Sequence, residues 1–125
     1  MIQNMVYGGS NKTVHKMSAE AYRGFSNMPS DEYLPGPDVK TFTMPRDGVV
    51  YYGGIAFYDR GTATGVCRIY KNNVVQDNRD SGNDYIIRGT MVDKQFNAVA
   101  GDEIKIECSL TVGTGLTFIQ SAIVY

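Results

Sequence analysis

Residues 103–112 read EIKIECSLTV, and this stretch decides the fold. Ile104, Ile106, Cys108, Leu110 and Val112 alternate without a break with Glu103, Lys105, Glu107, Ser109 and Thr111. A period of two puts all the apolar side chains on one face of a strand and all the polar ones on the other. Such a strand belongs to an antiparallel sheet with one buried and one wet face, and its register is fixed by that difference. Gly101-Asp102 stands before it and Gly113-Thr114-Gly115 after it, as turn residues would.

Working outward, strands and turns succeed one another from Asp38 to the last residue. Val39–Met44 carries Phe42 and Met44 on one face. Pro45-Arg46-Asp47-Gly48 is a turn, with Pro near its start and Gly at its end. Val49–Tyr58 is a long strand interrupted by Gly53-Gly54, a pair that marks a bulge or a close backbone neighbour. A loop is expected over Asp59–Thr64, a strand over Gly65–Lys71, and a hairpin turn at Asn72-Asn73, since Asn tolerates positive φ. Val74–Gln76 is the short partner strand, Asp77–Asn83 a polar loop, and Tyr85–Val92 a strand. Asp93–Asn97 reads as either a loop or a short strand, and Ala98–Asp102 leads into the decisive stretch. Seven or eight short antiparallel strands at this spacing predict an all-β sandwich or barrel.

The last strand, Thr117–Tyr125, differs from residues 103–112. Ile119, Ile123 and Tyr125 stand at odd positions, and Phe118, Ala122 and Val124 at even ones. Both faces are largely apolar, so both are expected to be covered. One would meet the opposite sheet; self-association, or the N-terminal segment, would cover the other.

Residues 1–37 are polar and carry Gly8-Gly9, Pro29, Pro35, Gly36 and Pro37. They read as an arm, either a flexible tail or an anchor, distinct from a domain at 38–125. One helical turn is expected at Ser18–Arg23, with Ser18 as N-cap and Gly24 ending it.

Composition narrows the function classes. The 125 residues suffice for one domain with its own core. The 12 Lys and Arg nearly balance the 13 Asp and Glu and are interspersed with them, which argues against a polyanion-binding surface. No apolar run approaches the ~20 residues a membrane helix needs. The first residues have neither a basic n-region nor an apolar h-region, so no secretory leader is expected. Cys67 and Cys108 both fall in strands; a disulfide requires their strands to be neighbours, and two buried thiols are the expectation.

Catalytic signals are weak. The one histidine, His15, lies on the arm and reads as solvated, so a nucleophile–His set is not expected. Asp31-Glu32 and Asp102-Glu103 lie in turns, and adjacent strand residues face opposite ways, which makes no acid/base pair. The segment Asp77–Asp84 is rich in oxygen ligands, with Asp77, Asp80 and Asp84 as a weak calcium set. It lacks the terminal Glu of an EF-hand loop, and surface turns favour the same residues. Tyr51, Tyr52, Tyr58, Tyr70 and Tyr85 are the aromatic surplus, since Tyr51 and Tyr52 face opposite ways. No cofactor is expected.

Several segments together resemble a known family. Phe42-Thr43-Met44-Pro45 followed by Gly48-Val49-Val50-Tyr51-Tyr52 looks like the opening of the complement globular-head and tumour-necrosis-factor-like jelly roll. Ile69-Tyr70-Lys71-Asn72, Ala98–Glu103 and the closing Phe118–Tyr125 follow in the family's order, across roughly residues 39–125. Asn73 stands where the family usually has Gly, Ser121 replaces a small residue, and no collagen-like stalk precedes the domain. The resemblance implies a two-sheet jelly roll that forms a homotrimer, with its first and last strands in the inner sheet near the threefold axis. It implies a trimer interface over Phe42, Phe118, Ile119, Ala122, Ile123, Val124 and Tyr125. Receptor-facing positions would be Tyr58, Asp59, Arg60, Asp77 and Asn78. A chain opening at Met1 with a polar arm looks most like a bacteriophage virion component: a capsid decoration, head-fibre or receptor-binding tip protein. Its partners would be itself, a capsid or fibre protein, and a cell-surface glycan or protein, without nucleic acid or membrane insertion. The rival expectation is a monomeric carbohydrate-binding module of a secreted or cell-surface enzyme.

Overall fold

The computed structural model describes residues 11–24, 33–80 and 88–125. Among these the chain is all β, built from β1 (Val14–Arg23), β2 (Tyr33–Leu34), β3 (Asp38–Thr43), β4 (Gly48–Lys71), β5 (Val74–Asp80), β6 (Arg88–Ala98) and β7 (Glu103–Val124). All pairings are antiparallel.

The two long strands β4 and β7 pair with each other almost from end to end, from Val49↔Val124 to Lys71↔Ile104. This ribbon folds over on itself. Its outer half, Val49–Tyr58 with Gly115–Val124, is flanked by β1 on one side and β6 on the other. Its inner half, Gly65–Lys71 with Ile104–Leu110, is flanked by β3 and β5. Two four-stranded antiparallel sheets result, packed as a sandwich compatible with a jelly roll.

Residues from both halves form one core: Val50, Tyr52, Ile119 and Ile123 from one sheet meet Cys67, Ile69, Ile104, Ile106, Cys108 and Leu110 from the other, with Met17, Ala19 and Ala21 of β1. The alternation is realised as read over residues 103–110, where Ile104, Ile106, Cys108 and Leu110 are all fully buried; the side chains of Thr111 and Val112 lie outside the described set.

Three expectations give way. Ser18–Arg23 is not a helical turn but the body of β1, paired through Val14↔Val124 to Arg23↔Gly115. Ten backbone partners on β7 outweigh the local helix preference of a Ser-Ala-Glu-Ala run. Gly113-Thr114-Gly115 does not end a strand; β7 runs through it, with Gly113 at φ 88. Asp59–Thr64 likewise lies inside β4, where the register shifts repeatedly. The inward face changes there from even positions (Leu110) to odd ones (Thr117, Ile119) on β7. A register shift of that kind reassigns every later side chain to the opposite face.

Asp77–Asp80 belongs to β5 rather than to a loop, while 81–83 lie outside the described residues. So does Tyr85, with the start of the strand expected there; β6 continues through Asp93–Asn97.

Candidate functional site

The two outer faces of the sandwich differ in chemistry. On the β3–β7–β4–β5 side the outward positions of β7 are Glu103, Lys105, Glu107 and Ser109, with Arg68 opposite Glu107 and Tyr70 opposite Lys105. Tyr70 donates its hydroxyl to Glu107 Oε1 at 2.7 Å, and Lys105 Nζ lies 4.4 Å from the Tyr70 ring centre. Burial pushes the Tyr70 hydroxyl pKa upward, and the Glu107 acceptor raises it further against a smaller opposing effect of Arg68. This face carries an internally bonded charged centre, with Val39 and Val75 also exposed on it beside Glu107 and Tyr70.

The β1–β7–β4–β6 side mixes apolar and polar residues in rows that cross the sheet, with the polar pair Ser18 and Gln120 beside Gly53 at its middle. Val14, Val124 and Val49 share one row; Lys16, Ala122 and Tyr51 the next; Glu20, Phe118 and Ile55 another; Tyr22 pairs with Leu116. Alternation on β7 puts Phe118, Ala122 and Val124 outward and only half-buried, while Ile119 and Ile123 point inward at 0% exposure. Val14 is 52% and Tyr51 43% exposed.

Gly53 carries no side chain into the middle of this face. An open groove of about 960 Å³ forms over it, bordered by Lys16, Tyr51, Lys94, Gln95, Phe118 and Gln120. The groove wall holds two lysines and no carboxylate.

Of the residues expected at an interface, Phe118, Ala122 and Val124 share this surface. Ile119 and Ile123 are core residues between the sheets, because the odd positions of β7 face inward. Phe42 and Tyr125 lie at the sandwich edge and pack partly against the core. His15 is only partly solvated: formation of β1 makes it half-buried, stacked on Phe42 with ring centres 4.0 Å apart. Phe42 in turn meets Tyr125 at 5.6 Å. Arg46 closes this edge by donating to the carbonyls of Asn11 and Tyr125 at 2.8 and 3.1 Å. Asn11, just before β1, is thus tied to Tyr125, just after β7, which sequence spacing alone does not reveal.

The residues expected to face a receptor do not form one described cluster. Tyr58, Asp59 and Arg60 lie in β4 at the fold of the ribbon, and their side chains fall outside the described set. Asp77 accepts from the Tyr52 hydroxyl at 3.1 Å and from the Asn78 backbone N–H. Of the calcium set, Asp84 and the Asp80 side chain lie outside the described residues. Among the described residues no group of three or more His, Cys, Asp or Glu could hold a metal ion. No described helix is long and apolar enough to cross a membrane.

The groove over Gly53 is the feature the sequence reading missed. The signal was present in Gly53-Gly54, read as a bulge marker, whose second consequence is a trough across an outward face.

Compared with models of known protein families the chain matches none, and no curated protein matches it.

Proposed function

We propose that this chain is a non-enzymatic structural and binding module that self-associates, as a homotrimer, through the outer face of its β1–β7–β4–β6 sheet. The observation that carries this reading is the contrast between the two outer faces. One presents the charges of Glu103, Lys105, Glu107 and Arg68 with the smaller Val39 and Val75, and the other presents Val14, Val49, Ile55, Leu116, Phe118 and Val124 among Lys16, Ser18, Glu20 and Gln120. On that face two apolar patches, Val14–Val49–Val124 and Ile55–Phe118–Leu116, flank the polar Ser18–Gln120 row, and such patches supply the apolar part of an interface core. The adjacency of the first long strand and the end of the last, in that same sheet, agrees with the tumour-necrosis-factor-like arrangement, whose first and last strands lie near the threefold axis. By that resemblance the assembly is a virion decoration or fibre-tip protein of a bacteriophage, attached through those residues of 1–37 that lie outside β1. Avidity across three copies would supply strength that single sites lack.

Sedimentation equilibrium at micromolar concentration tests the core of the proposal. A trimeric mass is expected, and Phe118→Asp should reduce it to a monomer that keeps its β spectrum. A wild-type monomer overturns the reading.

One observation favours a second reading, a monomeric carbohydrate-binding module. Tyr51 borders the groove beside the amides of Gln95 and Gln120, an aromatic-plus-amide set suited to stacking and hydrogen-bonding a sugar ring. Under that reading Tyr51→Ala abolishes retention on immobilised polysaccharide, and the mass is monomeric before and after.

A further inference from the structure

Cys67 of β4 and Cys108 of β7 stand directly opposite one another. Their kind of pairing follows from the end of the same ladder. Asn72 N–H donates to the Glu103 carbonyl at 2.8 Å, and the Glu103 N–H turns back to Asn72, bonding its side-chain Oδ1 at 2.9 Å. Asn72/Glu103 is therefore a hydrogen-bonded pair. The register then runs without a shift through Lys71↔Ile104, Tyr70↔Lys105, Ile69↔Ile106 and Arg68↔Glu107 to Cys67↔Cys108. The two kinds of opposed pair alternate along an antiparallel ladder. An odd number of steps makes Cys67/Cys108 a non-hydrogen-bonded pair, the kind whose side chains approach most closely. Its Cα separation is about 4.5 Å in regular sheet, inside the ~4.4–6.8 Å range a disulfide spans. Both side chains point into the core from the same face of the sheet, at 0% exposure, and both are thiols here.

We propose that Cys67 and Cys108 are a latent cross-link site: a disulfide joins β4 to β7 when the chain folds in the presence of a small-molecule disulfide, and the closed core then shields it. The chemistry is two successive exchanges. The thiolate of one cysteine attacks a sulfur of oxidised glutathione, forming a mixed disulfide and releasing one glutathione thiolate. The other cysteine, as thiolate, attacks the protein-side sulfur of that mixed disulfide and releases the second. Two protein thiols are oxidised and one glutathione disulfide is reduced to two thiols, the two protons lost by the protein thiols being taken up, through solvent, by the released glutathione thiolates.

Burial sets the timing. Attack needs an accessible thiolate. In the folded chain both residues are enclosed, and the Cys108 thiol is pushed up to about 12, by burial first and by neighbouring Cys67 second. Cys108 also donates its Sγ–H to the Ala19 carbonyl at 3.3 Å, so β1 covers the pair from the opposite sheet. Exchange therefore belongs to the unfolded or opening chain. The site is independent of the self-association proposed above, since the pair lies inside one copy.

The test uses the full chain, denatured and reduced, then refolded with either reduced glutathione alone or a mixture of reduced and oxidised glutathione. Each product is denatured, alkylated and weighed intact. The mixed buffer should give a product lacking two hydrogens, without alkyl adducts, and melting about 5 °C or more higher than the reduced product. Folded reduced protein given the same mixture should lose its thiols at least about tenfold more slowly than the refolding chain. Two alkylatable thiols after oxidative refolding, or glutathione adducts in place of an internal bond, overturn the site. Equal rates for folded and refolding protein overturn the shielding.

Discussion

Asn72 and Asn73 occupy the turn between β4 and β5 at φ 52 and φ 64, the pair of positive angles that a two-residue hairpin demands. They do unequal work. Asn72 donates from Nδ2 to Asp102 Oδ1 at 2.8 Å while its Oδ1 accepts from Glu103 N–H, so one side chain ties three segments at this end. Asn73 accepts only from the exposed Lys105 ammonium at 3.2 Å. Glycine adopts positive φ without strain. Asn73→Gly should therefore match or exceed the wild type in urea unfolding, whereas Asn72→Gly should lose about 1–2 kcal/mol through its two hydrogen bonds. Asp102 belongs to the same knot. Its carboxyl is held below the usual range by the Val99 backbone N–H first and the Asn72 amide second. Asp38 is also lowered: burial pushes its carboxyl up, but Lys40 at 2.7 Å and the Glu20 N–H outweigh that. A carboxyl with a lowered folded pKa contributes stability above its unfolded value, near pH 4, and loses it as pH falls through the folded value. Acid unfolding should steepen below about pH 4, and Asp102→Asn should flatten that limb when followed by circular dichroism. The turn was readable in sequence because φ preference is local; the role of Asp102 was not, because its partner Asn72 is distant along the chain.

At the scale of elements, β1 separates local preference from pairing. Ser18-Ala19-Glu20-Ala21 resembles a helix start, yet Met17, Ala19 and Ala21 are buried while Lys16, Ser18 and Glu20 are exposed, which is strand alternation. Thr13 and Tyr125 exchange both backbone hydrogen bonds, at 2.7 and 2.9 Å. Alternation from that pair makes Ala19, opposite Ile119, a hydrogen-bonded position and leaves the Ser18 and Glu20 N–H groups facing away from β7. The Glu20 N–H bears this out by donating to Asp38 Oδ2 at 3.0 Å. Proline then discriminates. In a helix capped by Ser18, Ala19 would be the first helical position, where proline is best tolerated. In this strand Ala19→Pro deletes a ladder bond at a buried site and should cost about 3 kcal/mol or more, while Ser18→Pro should cost clearly less. Guanidinium unfolding of the two variants decides it, and the reverse order would restore the helix. The long strands illustrate a related limit of the sequence. Gly113-Thr114-Gly115 carries turn residues, and what lets the strand continue there is pairing with β4, a non-local fact. The alternation on either side was readable; the change of phase between Leu110 and Thr117 was visible only as a gap.

At the scale of the whole molecule, β4 and β7 belong to both sheets, so neither sheet has a centre of its own. A lesion in either should lower one common transition: Leu110→Ala in one sheet and Ile123→Ala in the other, both fully buried, should each cost about 2–5 kcal/mol without creating a second step. The same architecture leaves one outer face centred on charged residues of β7 and the other carrying Phe118, Ala122 and Val124 of the same strand, and this difference was legible early, in the contrast between residues 103–112 and 117–125. Which residues of the final strand face outward was not legible, because it depends on the register shifts at the fold of the ribbon. With Ile119 and Ile123 inside, Ile123→Asp would bury a charge and unfold the chain, so it cannot report on self-association. Phe118→Asp changes an outward side chain and can. If the folded chain associates and the unfolded chain does not, mass action ties the melting midpoint to protein concentration. The wild-type midpoint should rise steadily over a hundredfold increase in concentration, by an amount set by the association constant. Phe118→Asp should melt at a concentration-independent midpoint, close to that of the most dilute wild type, because the side chain it replaces adds little to the monomer core. A wild-type midpoint that stays flat across the range would assign the apolar face to a different partner, and a variant that melts far below the dilute wild type would place Phe118 in the fold rather than at its surface.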